Sequence, residues 1–210
     1  VYYSKELKAM WGYERPDNPP NLPEWEARIH PDDSEEVWQK LDKHFHHETT
    51  HYESEQRILR KDNVYKWVLA RGKVVTWTKD DKPLRMIGTH IDISERKEAE
   101  ERYRHIFNNS LTENFIFDAE TYLFLNVNRG ATNNIGYTEE ELLKLTPLDI
   151  QPEMSFKQFS NLVKPLREGT KEIICFESDV QRKNGQCYPV EVHLQLTNDT
   201  LRPAFIGIVL

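Results

Sequence analysis

Cysteine is nearly missing from this chain: 210 residues carry two, Cys175 and Cys187, too few for a disulfide framework. No run approaches the roughly 20 apolar residues that a membrane-spanning helix needs, and no signal-peptide pattern opens the sequence. A basic excess is also lacking. Acidic residues number 35 against 28 basic ones, a formal net charge of −7. That argues against nucleic acid or an anionic membrane as the main partner, because both attract positive surface. With 38% hydrophobic, 11% aromatic and 30% charged residues, the composition suits a water-soluble folded chain and not a disordered one. The length exceeds one small domain and suits two of about 100 residues. Neither Val1 nor Leu210 has the features of a natural terminus, so the chain reads as a cytoplasmic piece of something longer.

What is present repeats itself. Gly12-Tyr13 recurs as Gly136-Tyr137, and Ile29-His30-Pro31-Asp32 as Ile150-Gln151-Pro152-Glu153. Glu55 with Arg60-Lys61-Asp62-Asn63 recurs as Glu177 with Arg182-Lys183-Asn184-Gly185, and Pro83 with Ile87-Gly88 recurs as Pro203 with Ile206-Gly207. The offsets are 124, 121, 122 and 119–120, which predicts one fold used twice.

The second copy reads as a strand at Phe115–Phe117, a polar turn, a partner strand at Tyr122–Val127, and a short helix capped by Asn128 and ended by Gly136. Thr138 with Glu141 forms a capping box. A longer helix spans Ser155 to Glu168, with Phe156, Phe159, Val163 and Leu166 on one face. Three strands follow, at Glu172–Arg182, Cys187–Thr197 and Arg202–Leu210. Between the first two, a three-residue loop, Lys183-Asn184-Gly185 with Gly185 left-handed, pairs Phe176 with Val192 and Ile174 with Leu194, keeping the apolar residues on one face. It also holds the two cysteines six ladder positions apart, roughly 20 Å, too far for a disulfide.

Strands followed by helices and an antiparallel triplet make an α+β fold, a sheet with helices on one face. These residues resemble a PAS domain in both copies. The second carries Asn128, Gly136-Tyr137-Thr138-Glu139-Glu140, Arg182-Lys183-Asn184-Gly185 and Tyr188-Pro189-Val190-Glu191-Val192. The first carries Ile29-His30-Pro31-Asp32-Asp33, Glu55-Gln56-Arg57-Ile58, Tyr65-Lys66-Trp67-Val68 and a long run from Arg85 to Lys97 close to the family's exit motif. The departure is Asn63 where the family has glycine, which a left-handed asparagine tolerates. The resemblance implies two five-stranded antiparallel sheets, the first cut short at its N-terminus: residues 1–93 and 109–210 as domains, 94–108 as a connecting signalling helix. Because Ser4 aligns with Asn128, Val1 falls inside the second strand of the first copy. The first sheet is therefore expected to be incomplete or completed by another chain.

Proteins resembling this family sense a small molecule, light, oxygen or redox state, or serve as dimerisation modules. The stretch Asn128–Gly136 lacks the cysteine of the flavin-thiol light sensors, which argues against covalent flavin. The second copy's long helix lacks the histidine of the haem-binding subtype, which argues against haem; no cofactor is named. In the first copy His44, His47 and His51 are weak metal candidates on spacing alone, with His46 beside them, and a polar helix end is the simpler account. His30-Pro31-Asp32-Asp33 reads as a helix start capped by an aspartate. Carrying the hairpin register into the first copy places Tyr52, Ser54, Gln56, Val68, Ala70 and Gly72 on the inner face, a small and polar set suggesting a ligand cavity. The equivalent face of the second copy, with Phe176, Val192 and Phe159 as pocket candidates, reads first as a packed core.

The segment from Ser94 to about Asn108 reads as a helix capped by Ser94, with Glu98–Arg102 and Glu100–Arg104 pairs and an apolar seam of Ala99, Tyr103 and Ile106. The resemblance implies that Asp92 anchors this helix to the last strand, so Asp92, Ser94, Glu95 and Arg96 are the relay candidates. The implied function is the sensory region of a larger protein, a sensor histidine kinase of a two-component system or a diguanylate cyclase or phosphodiesterase. The output domain would lie in the same chain, homodimerisation is expected, and the fragment has no catalytic constellation of its own. The alternative is a ligand-free dimerisation scaffold.

Overall fold

In the first half, Ser4 accepts a hydrogen bond from Leu7 N at 3.2 Å and so caps a short helix, α1, Lys5–Met10. The structure, a computed structural model, describes residues 3–13, 25–198 and 202–210; Val1, where the sequence places a cut strand, lies outside them. Helix α2, Pro31–Phe45, starts with proline at its first position, where a missing N–H costs nothing. Its cap corrects the expectation of an aspartate. His30 Nδ1 accepts from Asp32 N at 3.2 Å, and Asp33 is taken by Arg57, accepting from its backbone N at 2.7 Å and from its guanidinium at 2.6 and 3.0 Å. Val37, Leu41 and His44, spaced by four and three, face the core. Three antiparallel strands follow in sheet order β1 (Tyr52–Leu59), β2 (Tyr65–Trp77), β3 (Pro83–Asp92), and then α3, Ser94–Asn108.

The second half continues with β4 (Glu113–Asp118), β5 (Phe124–Val127), α4 (Arg129–Ile135), α5 (Glu139–Leu142), α6 (Pro147–Ile150), α7 (Phe156–Arg167), β6 (Ile173–Gln181), β7 (Cys187–Thr197) and β8 (Ala204–Val209). Its five strands pair antiparallel in the order β5-β4-β8-β7-β6. The hairpin register matches the sequence reading: Phe176 faces Val192, Ile174 faces Leu194, and Gly185 sits at φ +87°. The Thr138–Glu141 capping box is formed. On α7, Phe159, Val163 and Leu166 are buried, but Phe156 at the first turn is exposed.

Two compact units result, Val1–Glu101 and Arg102–Leu210. The repeat is visible in backbone detail. Gly12 and Gly136 end α1 and α4 in left-handed conformation at φ +80° and +83°. Lys61 N donates to Trp11 O at 3.0 Å, and Lys183 N to Ile135 O at 2.9 Å. Asn63, at φ +62°, does the work of Gly185. Strands β1, β2 and β3 occupy the places of β6, β7 and β8. Among the described residues β3 is an edge, whereas β8 continues into β4.

Candidate functional site

The inner face of the first sheet is built in rows. Tyr52 pairs with Gly72, Ser54 with Ala70 and then His90, and Gln56 with Val68 and then Asp92. Directly opposed residues share a face, so Tyr52, Ser54, Gln56, Val68 and Ala70 all point into the core, each nearly or fully buried. The end of the Met86 side chain lies over Gly72 and would have to move aside for a Cβ there. Helix α1 brings Trp11 to the same face, its ring 5.6 Å from that of His90.

This interior leaves polar atoms unspent. Tyr52 OH donates to Gln56 Oε1 at 2.9 Å. Burial pushes the Tyr52 phenol up to about 12. Gln56 Nε2, Ser54 Oγ, Trp11 Nε1 and His90 Nδ1 are buried without a hydrogen-bond partner. Each such group costs about 1–3 kcal/mol if nothing satisfies it, so four on one face call for an occupant, water or ligand.

The same rows in the second sheet read Ile174–Leu194–Gly207 and Phe176–Val192–Val209. Phe159 from α7 closes over them, its ring 6.1 Å from that of Phe117. A cavity of about 30 Å³ remains, touched by Phe159, Phe176, Val192 and Gln151, enough for about two waters. Gln151 Oε1 is its orphan acceptor, buried and unpartnered.

The start of α3 is bound to the first sheet through all three of its strands. Asp92 Oδ1 accepts from Ser94 N at 2.9 Å, and Lys66 Nζ donates to Asp92 Oδ2 at 2.5 Å. Burial raises the Asp92 carboxyl, but the bonds from Lys66 and Ser94 outweigh it and hold it below the usual range. Ser94 lies inside the helix and does not cap it: its Oγ accepts from Trp67 N at 3.2 Å, while Ile93 N donates to Trp67 O at 2.9 Å. Glu55 on β1 takes Arg96 and, at 2.7 Å, Lys97, and those two donors lower its carboxyl. Lys97 Nζ and the Arg57 guanidinium lie 5.0 and 5.3 Å from the centre of the Trp67 ring. Of the relay candidates, Asp92, Ser94 and Arg96 meet here, and Glu95 points to solvent. Glu55, Lys66, Trp67 and Lys97 complete the clamp. The Glu98–Arg102 and Glu100–Arg104 pairs are not formed; Glu100 lies 4.0 Å from Arg96 and 3.9 Å from Lys97 instead.

The end of α3 belongs to the second unit. Asn128, fully buried, caps α4 by accepting from Ala131 N at 2.9 Å and also accepts from Asn114 N at 2.9 Å. Its Nδ2 donates to Thr112 O at 2.8 Å and to Phe107 O, in the last turn of α3, at 3.1 Å. Asn108 Oδ1 accepts from Arg129 N at 3.1 Å. The next residue of β4, Glu113, accepts from Tyr188 OH at 2.9 Å and from Asn134. Tyr103 and Ile106, of the apolar seam, are exposed.

The histidines do not converge. His44 is buried with both ring nitrogens in use: Val74 N donates to Nε2 at 3.0 Å, which leaves Nδ1 as donor to Thr49 O at 3.0 Å. His47 stacks on Trp77 at 4.2 Å and meets Asp81 at 3.2 Å. His51 lies beside Thr50 and Glu53. Among the described residues no group of three or more His, Cys, Asp or Glu side chains is placed to hold a metal ion. Both cysteines are free and exposed on β6 and β7. Among the same residues no helix is long and apolar enough to cross a membrane.

Residues 1–90 match a family model described as PAS fold, and residues 112–210 one described as PAS domain. The chain is 29% identical over 101 residues to the methyl sulfide methyltransferase-associated sensor of Methanosarcina acetivorans, a stretch covering 48% of this chain and only 10% of that relative. A PAS domain of an HTR-like protein from Haloarcula marismortui shares the fold at a TM-score of 0.50 and 24% identity, over 55% of this chain and 93% of that one. A sensory box histidine kinase/response regulator from Burkholderia thailandensis E264 is 32% identical over 50% of this chain and 76% of that one, at a TM-score of 0.44.

Proposed function

We infer the role from the family: the chain belongs to the PAS family, with one PAS domain in each half. On this reading it is the sensory region of a larger signal-transduction protein and does no chemistry itself. Residues 1–93 and 109–210 are the domains, and 94–108 are the relay helix between them. The first domain receives a small ligand against Tyr52, Ser54, Gln56, Val68 and Ala70. The second, closed around Phe159, Phe176 and Val192, receives the signal. The name of the Methanosarcina relative, a sensor, supports the class of function. The exposed seam of Ala99, Tyr103 and Ile106 takes a second copy of the chain, since a 15-residue helix with no buried residue is marginal alone. The output domain, a histidine kinase or a diguanylate cyclase or phosphodiesterase, lies in the same cytoplasmic protein.

One observation carries this reading. Helix α3 is held by side-chain hydrogen bonds at each end, to Glu55 and Trp67 in the first unit and to Asn128 in the second. Hydrogen exchange on the whole chain carrying Glu55→Ala tests it. The amides of 95–101 should exchange faster, and so should Asn114 and Ala131, which donate to Asn128. Faster exchange in the helix with Asn114 and Ala131 unmoved overturns the relay and leaves the ligand-free scaffold. Sedimentation of the same sample reads the dimer.

A further inference from the structure

We propose that the interior of the first domain binds a small uncharged molecule through its hydrogen-bond acceptors, a carbonyl oxygen or ring nitrogen set against Gln56 Nε2 and Trp11 Nε1. This rests on the reading of that domain as the receiver and adds the class of ligand.

The donors are fixed by their surroundings. Tyr52 OH occupies Gln56 Oε1, so the amide turns its NH₂ end to the interior, where Nε2 has no partner. The Trp11 indole can only donate, and its Nε1 is likewise buried and unpartnered. Ser54 Oγ and His90 Nδ1, each able to donate or accept, lie on the same face, two strands apart in one row. Strand and residue spacings put Ser54, Gln56 and His90 within about 12 Å of one another. Between Ser54 and His90 stands only the methyl group of Ala70, where the second domain has Phe176, Val192 and Val209.

Charge selects next. Among the described residues the fully buried polar side chains of this domain are His44, Ser54 and Gln56, with no Asp, Glu, Lys or Arg among them. Arg60, whose Nε is also buried without a partner, is ion-paired with Asp62 at 3.0 Å. An anion would compete with that carboxylate, and a cation would find no buried carboxylate among the described residues of this domain. An uncompensated buried charge costs far more than a neutral acceptor. Burial lowers His90 to about 4, so its ring supplies no positive charge at neutral pH.

The test is an NMR titration of the ¹⁵N-labelled whole chain with acetamide and nicotinamide, with acetate and benzene as comparators. A neutral amide should shift the Trp11 indole and Gln56 side-chain N–H signals, leave the second domain's signals in place, and lose at least tenfold in affinity to Gln56→Met. Tighter binding of acetate or benzene overturns the class of ligand, as does saturation without movement of those two signals. So does a Gln56→Met chain that stays folded and binds the amides as before. None of these readouts uses α3, so a failed ligand class leaves the hydrogen-exchange result standing, and a failed relay leaves this one.

Discussion

The two sheets share a register and differ in what they put on it. Where the second domain sets Phe176, Val192 and Val209 across three strands, the first sets Ser54, Ala70 and His90. What is common is backbone: left-handed Gly12 and Gly136, a polar cap at Ser4 and Asn128, and the bond from a hairpin lysine to the end of the short helix. The fold is thus specified by turns and caps, and the inner rows are free to be filled with bulk or with unsatisfied donors.

The largest expected effect is in the packed half. Phe159→Ala should remove about 3–5 kcal/mol from the second domain, while Val37→Ala, at the matching place on α2, should cost the first about half as much. Calorimetry of the whole chain reads the two transitions. Equal losses would break the contrast between an aromatic interior and one of small and polar side chains.

The caps come next. Asn128 makes four hydrogen bonds from a fully buried position, and Ser4 makes one at the surface. Asn128→Ala should cost about 2–3 kcal/mol and Ser4→Ala about 1 or less. Denaturant unfolding giving the same loss for both would show that Asn128 does no more than cap α4.

The third contrast is in pH and is the smallest. Burial holds His90 at about 4, below the ordinary histidine value of roughly 6.5. The unfolded chain therefore takes up the proton first. The first domain should be fully stable above about pH 6.5 and lose of order 1–3 kcal/mol as pH falls to about 4. The matching row of the second domain, Phe176–Val192–Val209, carries no titratable side chain. His90→Phe should reduce that slope; a slope unchanged by the substitution assigns it elsewhere. The carboxylates of Asp33, Glu55 and Asp92, all held low, add a loss of the same sign that sets in as pH falls through the ordinary carboxylate range and continues below it.

Much of this was legible in the residues because it is local. Alternation along β7 and the left-handed Gly185 were enough to set the β6–β7 register, and carrying that register back by 122 residues placed Ser54 opposite Ala70. The capping box at Thr138 lies within four residues. What stayed hidden was decided across the fold. Nothing near Glu55 announces Lys97, 42 positions on. His30 takes the cap because Arg57, 24 residues away, claims Asp33. Phe156 keeps helical spacing with Phe159 and Val163, yet it sits on the first turn and stays exposed, reaching the core at the Tyr122 ring, 6.0 Å away. The orphaned Trp11 and Gln56 nitrogens are defined only by what fails to meet them.

Trp67 draws a last consequence from the clamp on α3. One indole has two cations near its ring, and one of these, Lys97, comes from the helix. Should the helix lift away, the ring keeps Arg57 and loses the ammonium, and the electric field across an indole sets the colour of its emission. The chain thus carries a native optical gauge of the contact between α3 and the first sheet, which a single-tryptophan variant could read without any added dye.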